Sequence, residues 1–399
     1  MKPLSSLFFF LESVMILIGI IIGAGVFALP YLGIFSGLTF TLFWLILSFF
    51  IICYLHLAFG EIILKTGKEH RLVGYVSYYL GKNAKILISL TTFFTFSFSL
   101  LIYLLLGARF LTNILELYFS SPYLFYLVLF FLWLFLNFIT LFASFHKIST
   151  VNLLFSFLIF IVFLFIIFMY LSSFKIQNLV LLPEKTNSLN YFLKFFLPYG
   201  VIFFALNGAV GIPELIKNFK KRNLPLASIK KAIILGTLLP MLFYLLFIFF
   251  VDGICGKYVT GDALTCLKDH LGPSAIFLGN IIGFLAVTTS YIIFTLYLKN
   301  TFLKDFQFPA SLTQMIISLG PILFYLLNLK NTASLASFLG GLVGGMEGLM
   351  ILFILKKVKE NEQISSPYSL KFNSFIFYFF LIILILGALM QTFIVPLAL

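Results

Sequence analysis

The stretch Ser13–Pro30, SVMILIGIIIGAGVFALP, decides how the rest of the chain is read. It is apolar enough to lie in a membrane, yet Gly19, Gly23 and Gly25 weaken it as a helix and Pro30 follows. A span that only had to cross lipid would use Leu, Ile and Ala, because each interior glycine costs about 1 kcal/mol relative to alanine. Irregular backbone at membrane depth persists only where it is buried in protein or lines a cavity. The stretch therefore reads as a helix broken on purpose, with freed backbone groups turned towards a solute.

The whole composition agrees with a membrane setting. The chain has 399 residues, of which 62% are hydrophobic and 10% charged, with a mean hydropathy of +1.15. A soluble core cannot absorb that much apolar surface, whereas lipid-facing helices can. The 55 phenylalanines fit lipid-facing positions. The formal charge of +13 could suggest nucleic acid, but the basic residues collect in short loops between apolar spans, so topology explains them. Lys2 followed by an apolar run resembles a signal peptide, but the run continues through the glycines and many spans follow, which favours a retained first span. No polar stretch is long enough to bury a core of its own.

Apolar windows of about 20 residues place spans near 8–34, 38–65, 84–118, 122–142, 149–172, 191–216, 231–251, 270–298, 309–328, 332–355 and 373–396. The expectation is an all-α integral membrane protein, a single transmembrane domain over 1–399, with about eleven helices. With Lys2 inside, the loops on that side hold 19 Lys and Arg, including Lys65, Lys68, Arg71, Lys217, Lys220 and Lys221. The opposite loops hold 6, Lys175, Lys185, Lys194, Lys257, Lys268 and Lys330. This asymmetry puts the N-terminus in the cytoplasm and, with an odd number of spans, the C-terminus outside a multi-pass protein of the plasma membrane. Cys255 and Cys266 share one outer loop, where a bridge and two free thiols are both open readings. Cys53, mid-span, reads as a small core hydrophobe. No Cys/His cluster has metal-ligand spacing.

An internal repeat organises these spans. The sixth, PYGVIFFALNGAVGIPEL from Pro198 to Leu215, also carries small residues mid-span, Asn207, Gly208, Ala209 and Gly211, with Pro213 behind them. Gly208 precedes Pro213 by the separation at which Gly25 precedes Pro30. The first and sixth of eleven spans correspond if five helices are repeated and one is appended. Five is odd, so the copies insert with opposite topology: a first repeat over 8–172, an inverted second over 191–355 and an extra helix at 373–396. One small-residue cluster alone reads equally well as close helix packing. A matched, Gly/Pro-interrupted pair points instead to a binding site at the membrane midplane.

These residues resemble a known family. IGIIIGAGVFALP is similar to the first-span signature of the amino acid–polyamine–organocation superfamily, which has the leucine-transporter fold. ALNGAVGIPELIKNFKKRNLPLASIKKAIILGTLLP resembles its sixth span, inner loop and seventh span, most similar to the aromatic amino acid permease and amino acid/auxin permease branch. AVTTSYIIFTLYLKNTFLKDF, from Ala286, resembles that branch's eighth span. The resemblance implies a secondary active carrier that imports an amino acid by ion-coupled alternating access. A non-transporting amino acid sensor on the same fold is the alternative. The partners implied are a small-molecule amino acid and the lipid bilayer, without nucleic acid.

The chemistry of the breaks fits such a solute. The segment beginning near Val26 starts a new half-helix with unsatisfied N–H groups, and Gly23, Ala24 and Gly25 carry little side chain, so a carboxylate can approach those groups closely. Carbonyls freed in the preceding half-helix and around Phe203, Phe204, Ala205, Asn207 and Gly208 can accept from an ammonium. Tyr103, Phe203 and Phe204 are candidate walls for the side chain. No buried carboxylate or Lys aligns with the breaks, which favours a neutral, apolar or aromatic amino acid. No cofactor is expected beyond Na+ or H+ as coupling ion.

For sodium, the resemblance carries over side-chain oxygens of Thr289 and Ser290 and carbonyls of Gly19, Ile22 and Ala286; the competing reading is that these hydroxyls bond back to their own helix. Some proton-coupled relatives use a fifth-span Lys, which is absent here until Lys175. Glu12, Glu61, Glu116, Glu214 and Glu347 lie in or at the ends of spans and are candidates by default. Glu61 and Glu214 read better as gate or structural pairs. Arg109 needs a partner, and Glu116, two turns on, is too far along one helix. No phosphate-binding loop or catalytic constellation occurs, so an enzyme is not expected.

Overall fold

A computed structural model describes residues 3–142, 145–183, 188–360 and 366–398. Fifteen α-helices follow in order: α1 Pro3–Ile21, α2 Gly25–Phe35, α3 Leu38–Thr66, α4 Leu72–Leu80, α5 Lys82–Leu115, α6 Leu124–Phe142, α7 Phe145–Met169, α8 Ser188–Leu206, α9 Ile212–Lys221, α10 Ile229–Cys255, α11 Lys268–Lys304, α12 Ala310–Leu326, α13 Thr332–Phe338, α14 Gly345–Glu360 and α15 Ser374–Ala398.

Among the described residues, 8 helices are long and apolar enough to cross a membrane, or 9 when α1 and α2 count as one bent span. The expected fifth span enters through the apolar stretch Phe157–Met169 of the longer α7, and the ninth is the shorter apolar helix Ala310–Leu326. All eleven expected stretches thus contain helix. The periodic reading missed α4, a short amphipathic helix placed between the second and third spans.

The first expected span is broken where its glycines fall. α1 ends at Ile21, α2 begins at Gly25, and the two axes differ by 57°. The sixth span breaks between α8 and α9, with Asn207 and Gly208 outside regular helix and a 3-10 turn at Ala209–Gly211. Pro213 then sits in the first turn of α9, where its missing N–H costs nothing because that donor has no intrahelical acceptor. The halves interlock crosswise, α1 packing on α9 and α2 on α8. At the crossing, a Cβ built on Gly25 would lie 2.6 Å from the Cα and Cβ of Ala205. Only glycine allows the two breaks to come that close.

The tenth span shows a second irregularity. Between α13 and α14 the backbone widens into a π-helical stretch, Leu339–Gly344. There Gly340 presses directly on the backbone of Gly200 in α8. Such widened turns inside helices occur frequently at functional sites.

Cys255, the last residue of α10, and Cys266 are joined by a disulfide, resolving the two readings of these cysteines in favour of the bridge. Cys53 is a free, buried thiol.

Candidate functional site at the two helix breaks

The two breaks face one internal cavity. Its lining includes Gly23, Ala24 and Gly25 from the first break, Phe204, Ala205 and Asn207 from the second, and Tyr103 from α5. These are seven of the nine positions expected to meet the substrate. Phe203 instead packs its ring against Tyr199, with Gly344 beside it, and is 2% exposed. Gly208 lies against Leu17 and Ile21 of α1.

At the first break, the N–H groups of Gly23 and Ala24 have no hydrogen-bond partner among the described residues. They immediately precede α2, a helix N-terminus where the first donors lack intrahelical acceptors. This is the arrangement that receives an anion. The neighbourhood is polar and close: a Cβ on Gly23 would come 2.9 Å from Ser290 Oγ and 3.6 Å from the Tyr103 ring. Larger rings complete the walls. Phe96 stacks on Tyr297 at 5.2 Å, and Tyr103 meets Phe294 edge-on at 5.3 Å. Phe96, Phe294 and Tyr297 all line the cavity.

Two residues that the sequence reading passed over hold the breaks in place. The Tyr244 hydroxyl of α10 lies 2.6 Å from Ile21 O and 2.9 Å from Ala205 O, so one side chain ties the ends of α1 and α8 together. Those two carbonyls, expected to be open to an ammonium, are therefore engaged by Tyr244. His56 of α3 accepts a hydrogen bond from Gly208 N–H at Nε2, at 3.0 Å, and its Nδ1 lies 3.0 Å from Thr237 Oγ1. Thr237 in turn donates to Ile233 O at 2.9 Å. The chain is consistent only if His56 is neutral with its proton on Nδ1. It satisfies a backbone donor that the break leaves without a helical acceptor. Asn207 finishes the turn by accepting from Ala209 N–H at 3.2 Å through Oδ1.

One expectation is corrected. A carboxylate does align with the breaks: Glu347, in the first turn of α14, lines the cavity. Its Oε2 accepts from Asn207 Nδ2 and its Oε1 from Thr95 Oγ1, each at 3.4 Å. The sequence hid this because Glu347 lies 140 residues beyond Asn207. The signal nearest to hand was the run of small residues LGGLVGGMEG around it. The absence of a carboxylate therefore no longer argues for a neutral substrate.

Of the candidate cation ligands, Ser290 lies against Gly23 of the first break. Thr289 Oγ1 donates to Leu285 O at 2.9 Å and Ala286 O at 3.0 Å, while Ser290 Oγ donates to Ala286 O at 2.9 Å. Both hydroxyls thus bond back to their own helix, and each keeps lone pairs for another partner. Ile22 and Ala286 line a second, apolar cavity with Ile159, Phe163 and Ile166 of α7. Gly19 lies within α1, one turn before the break.

Other charged residues are tied up structurally. Arg71, at the N-terminus of α4, meets Glu214 of α9 at 2.5 Å. Glu61 is held by Lys359 at 2.6 Å, Lys65 at 3.5 Å and the N–H of Leu370 at 2.9 Å. Arg222 pairs with Glu12 at 3.0 Å. Arg109 is exposed, its guanidinium over the Phe125 ring at 5.6 Å.

A bundle of membrane-length helices with two broken spans crossing at a lined cavity defines a secondary transporter of the leucine-transporter fold. The solved structure of Mhp1, a nucleobase-cation-symport-1 family transporter in a closed conformation with bromovinylhydantoin bound, is similar over 85% of this chain and 76% of its own, with a TM-score of 0.62 and 14% identity. No curated protein matches the chain in sequence. The tryptophan/tyrosine permease family matches residues 8–391, and the chain belongs to that family.

Proposed function

We propose that this carrier moves a neutral amino acid, an aromatic one by preference, and imports it by alternating access coupled to a cation gradient. The observation that carries the proposal is the cavity itself: unpartnered N–H groups at Gly23 and Ala24 for a carboxylate, beside the rings of Phe96, Tyr103, Phe204, Phe294 and Tyr297 for an aromatic side chain. The family name, tryptophan/tyrosine permease, supports the same class. The inverted repeat over 8–172 and 191–355, with 373–396 appended, supplies the two-fold relation that lets one half rock against the other. The crosswise packing of α1 on α9 and α2 on α8 supports it. In this reading the plasma membrane holds the protein with its N-terminus in the cytoplasm and its C-terminus outside, on the strength of the 19-to-6 bias in basic residues.

Sodium held by Gly19, Ile22, Ala286, Thr289 and Ser290, or a proton, is the coupling ion in this proposal. Uptake of the common amino acids into proteoliposomes, with sodium and proton gradients imposed separately, tests it. Accumulation of tryptophan or tyrosine under one gradient is expected. Specific binding without flux would identify a sensor and overturn the proposal.

A further inference from the structure

Glu347 stands apart from the other span carboxylates. Glu12, Glu61 and Glu214 each have an Arg or Lys within 3.0 Å. Asp252, near the end of α10, is buried with neither oxygen bonded, and it does not line the cavity. Glu347 lines it and has no cationic partner among the described residues. Its two contacts come from neutral donors at 3.4 Å. An ionised carboxylate with good donors makes bonds of about 2.7–2.9 Å, so these contacts do not lock a charge in place. A lone carboxylate at membrane depth is costly as an anion, and such residues mark proton relays or ion paths.

We propose that Glu347 carries the coupling proton of the transport cycle. The inference rests on the reading of the chain as an ion-coupled amino acid carrier and chooses the proton over sodium. An O–H bond forms on one Glu347 oxygen with a proton taken from the outer solution. It breaks when the cavity opens inward, returning the proton to inner water. Asn207 is the physical link to substrate. Its Nδ2 meets Glu347 while its Oδ1 closes the turn at Ala209, so the charge on Glu347 bears directly on the geometry of the second break. The π-helical stretch immediately before α14 gives the tenth span the local slack to follow.

The surrounding ionisable groups leave this role to Glu347. On α3, His56 is bonded on both nitrogens and Glu61 is paired with lysines. Arg71, at the start of α4, is paired with Glu214, and its guanidinium lies 5.1 Å from the Tyr297 ring. The Tyr75 and Tyr79 hydroxyls of α4 bond to Lys68 O and Thr66. Of the ionisable residues on α5 and α11, only Tyr103 and Tyr297 are among those lining the cavity, and the described part of α15 carries only Tyr378. The lysines of α14 itself, Lys356, Lys357 and Lys359, lie more than two turns beyond Glu347, towards the end of that helix.

The test uses the full-length protein in proteoliposomes with radiolabelled tryptophan, comparing wild type, Glu347→Gln and Glu347→Asp. Two fluxes are read for each: counterflow without any ion gradient, and accumulation driven by a pH gradient of about one unit. One proton per substrate lets that gradient hold about a tenfold accumulation. Glu347→Gln is expected to lose that accumulation, so that the ratio of pH-driven to counterflow uptake falls about tenfold or more, and Glu347→Asp to restore part of it. Three results would overturn the assignment: pH-driven accumulation intact in Glu347→Gln, wild-type accumulation that follows sodium and ignores pH, or counterflow abolished in a Glu347→Gln protein whose melting temperature is unchanged. Wild-type vesicles that show no counterflow of any amino acid would instead remove the carrier reading itself.

Discussion

Gly25→Ala adds one carbon atom at the point where the two broken spans touch. The new Cβ would lie 2.6 Å from both the Cα and the Cβ of Ala205 and 3.2 Å from its backbone nitrogen. Carbon atoms rest comfortably at about 3.5–4.0 Å, so α2 and α8 must separate by about 1 Å. No flexible side-chain tip is available to give way, because the nearest atoms are the backbone of Ala205 and its Cβ, which is fixed to that backbone. Overpacking of this kind costs about 1–3 kcal/mol. The strain falls on the N–H groups proposed to hold the substrate carboxylate, and at 1.4 kcal/mol per decade it should weaken binding by about 5- to 150-fold. The assay is equilibrium binding of radiolabelled tryptophan to purified protein, with the melting temperature measured alongside. Gly261→Ala is the control, because a Cβ there meets nothing within 4 Å. Wild-type affinity in Gly25→Ala would refute the placement of the carboxylate. So would a lowered melting temperature with unchanged affinity, which would confine the contact to structure.

Three further outcomes follow from the same geometry. Tyr244→Phe removes the hydroxyl that bridges Ile21 O and Ala205 O; losing one partner of a buried bond costs about 1–3 kcal/mol, read as a lower melting temperature together with slower tryptophan uptake. Arg71→Ala breaks the pair with Glu214, whose side chains are 13% and 8% exposed. Removing one member of a buried pair costs about 3–5 kcal/mol, and a cysteine introduced by Ala209→Cys should react faster with a membrane-impermeant thiol reagent once α9 is freed. Cys266→Ser opens the link to Cys255, 11 residues away; closing a short loop of this kind is worth about 3 kcal/mol. The expected drop in melting temperature should match that of wild type treated with reductant.

What the sequence made legible follows from what each residue has to do locally. The breaks at Gly23–Gly25 and Asn207–Gly211 were visible because glycine and proline act on their own stretch of backbone, and because the same spacing occurs twice. The Arg71–Glu214 pair was half visible, as an acid that needed a partner. Tyr244, His56 and Glu347 were not legible as a set. Each is a single polar residue in an apolar run, and each acts on a segment far along the chain: Gly208 lies 152 residues from His56, and Ile21 lies 223 residues from Tyr244. Only the crossing of α8 with α3, α10 and the tenth span brings them to the breaks. The walls were ambiguous for another reason. With 55 phenylalanines in the chain, adjacency to a break could not separate Phe204, which faces the cavity, from Phe203, which turns towards Tyr199 and Gly344. The hydroxyls of Thr289 and Ser290 illustrate the limit of a motif, since the same two residues can hold a cation or bond back to Leu285 and Ala286, as they do here.

The central claim is that the cavity between the two breaks carries an aromatic amino acid across the membrane. Its most direct test is counterflow of radiolabelled tryptophan into proteoliposomes preloaded with the unlabelled amino acid. A transient accumulation above equilibrium, competed by tyrosine and lost in Gly25→Ala, is the predicted result. Label entering no faster than into protein-free vesicles, for tryptophan and for every other neutral amino acid, would contradict it.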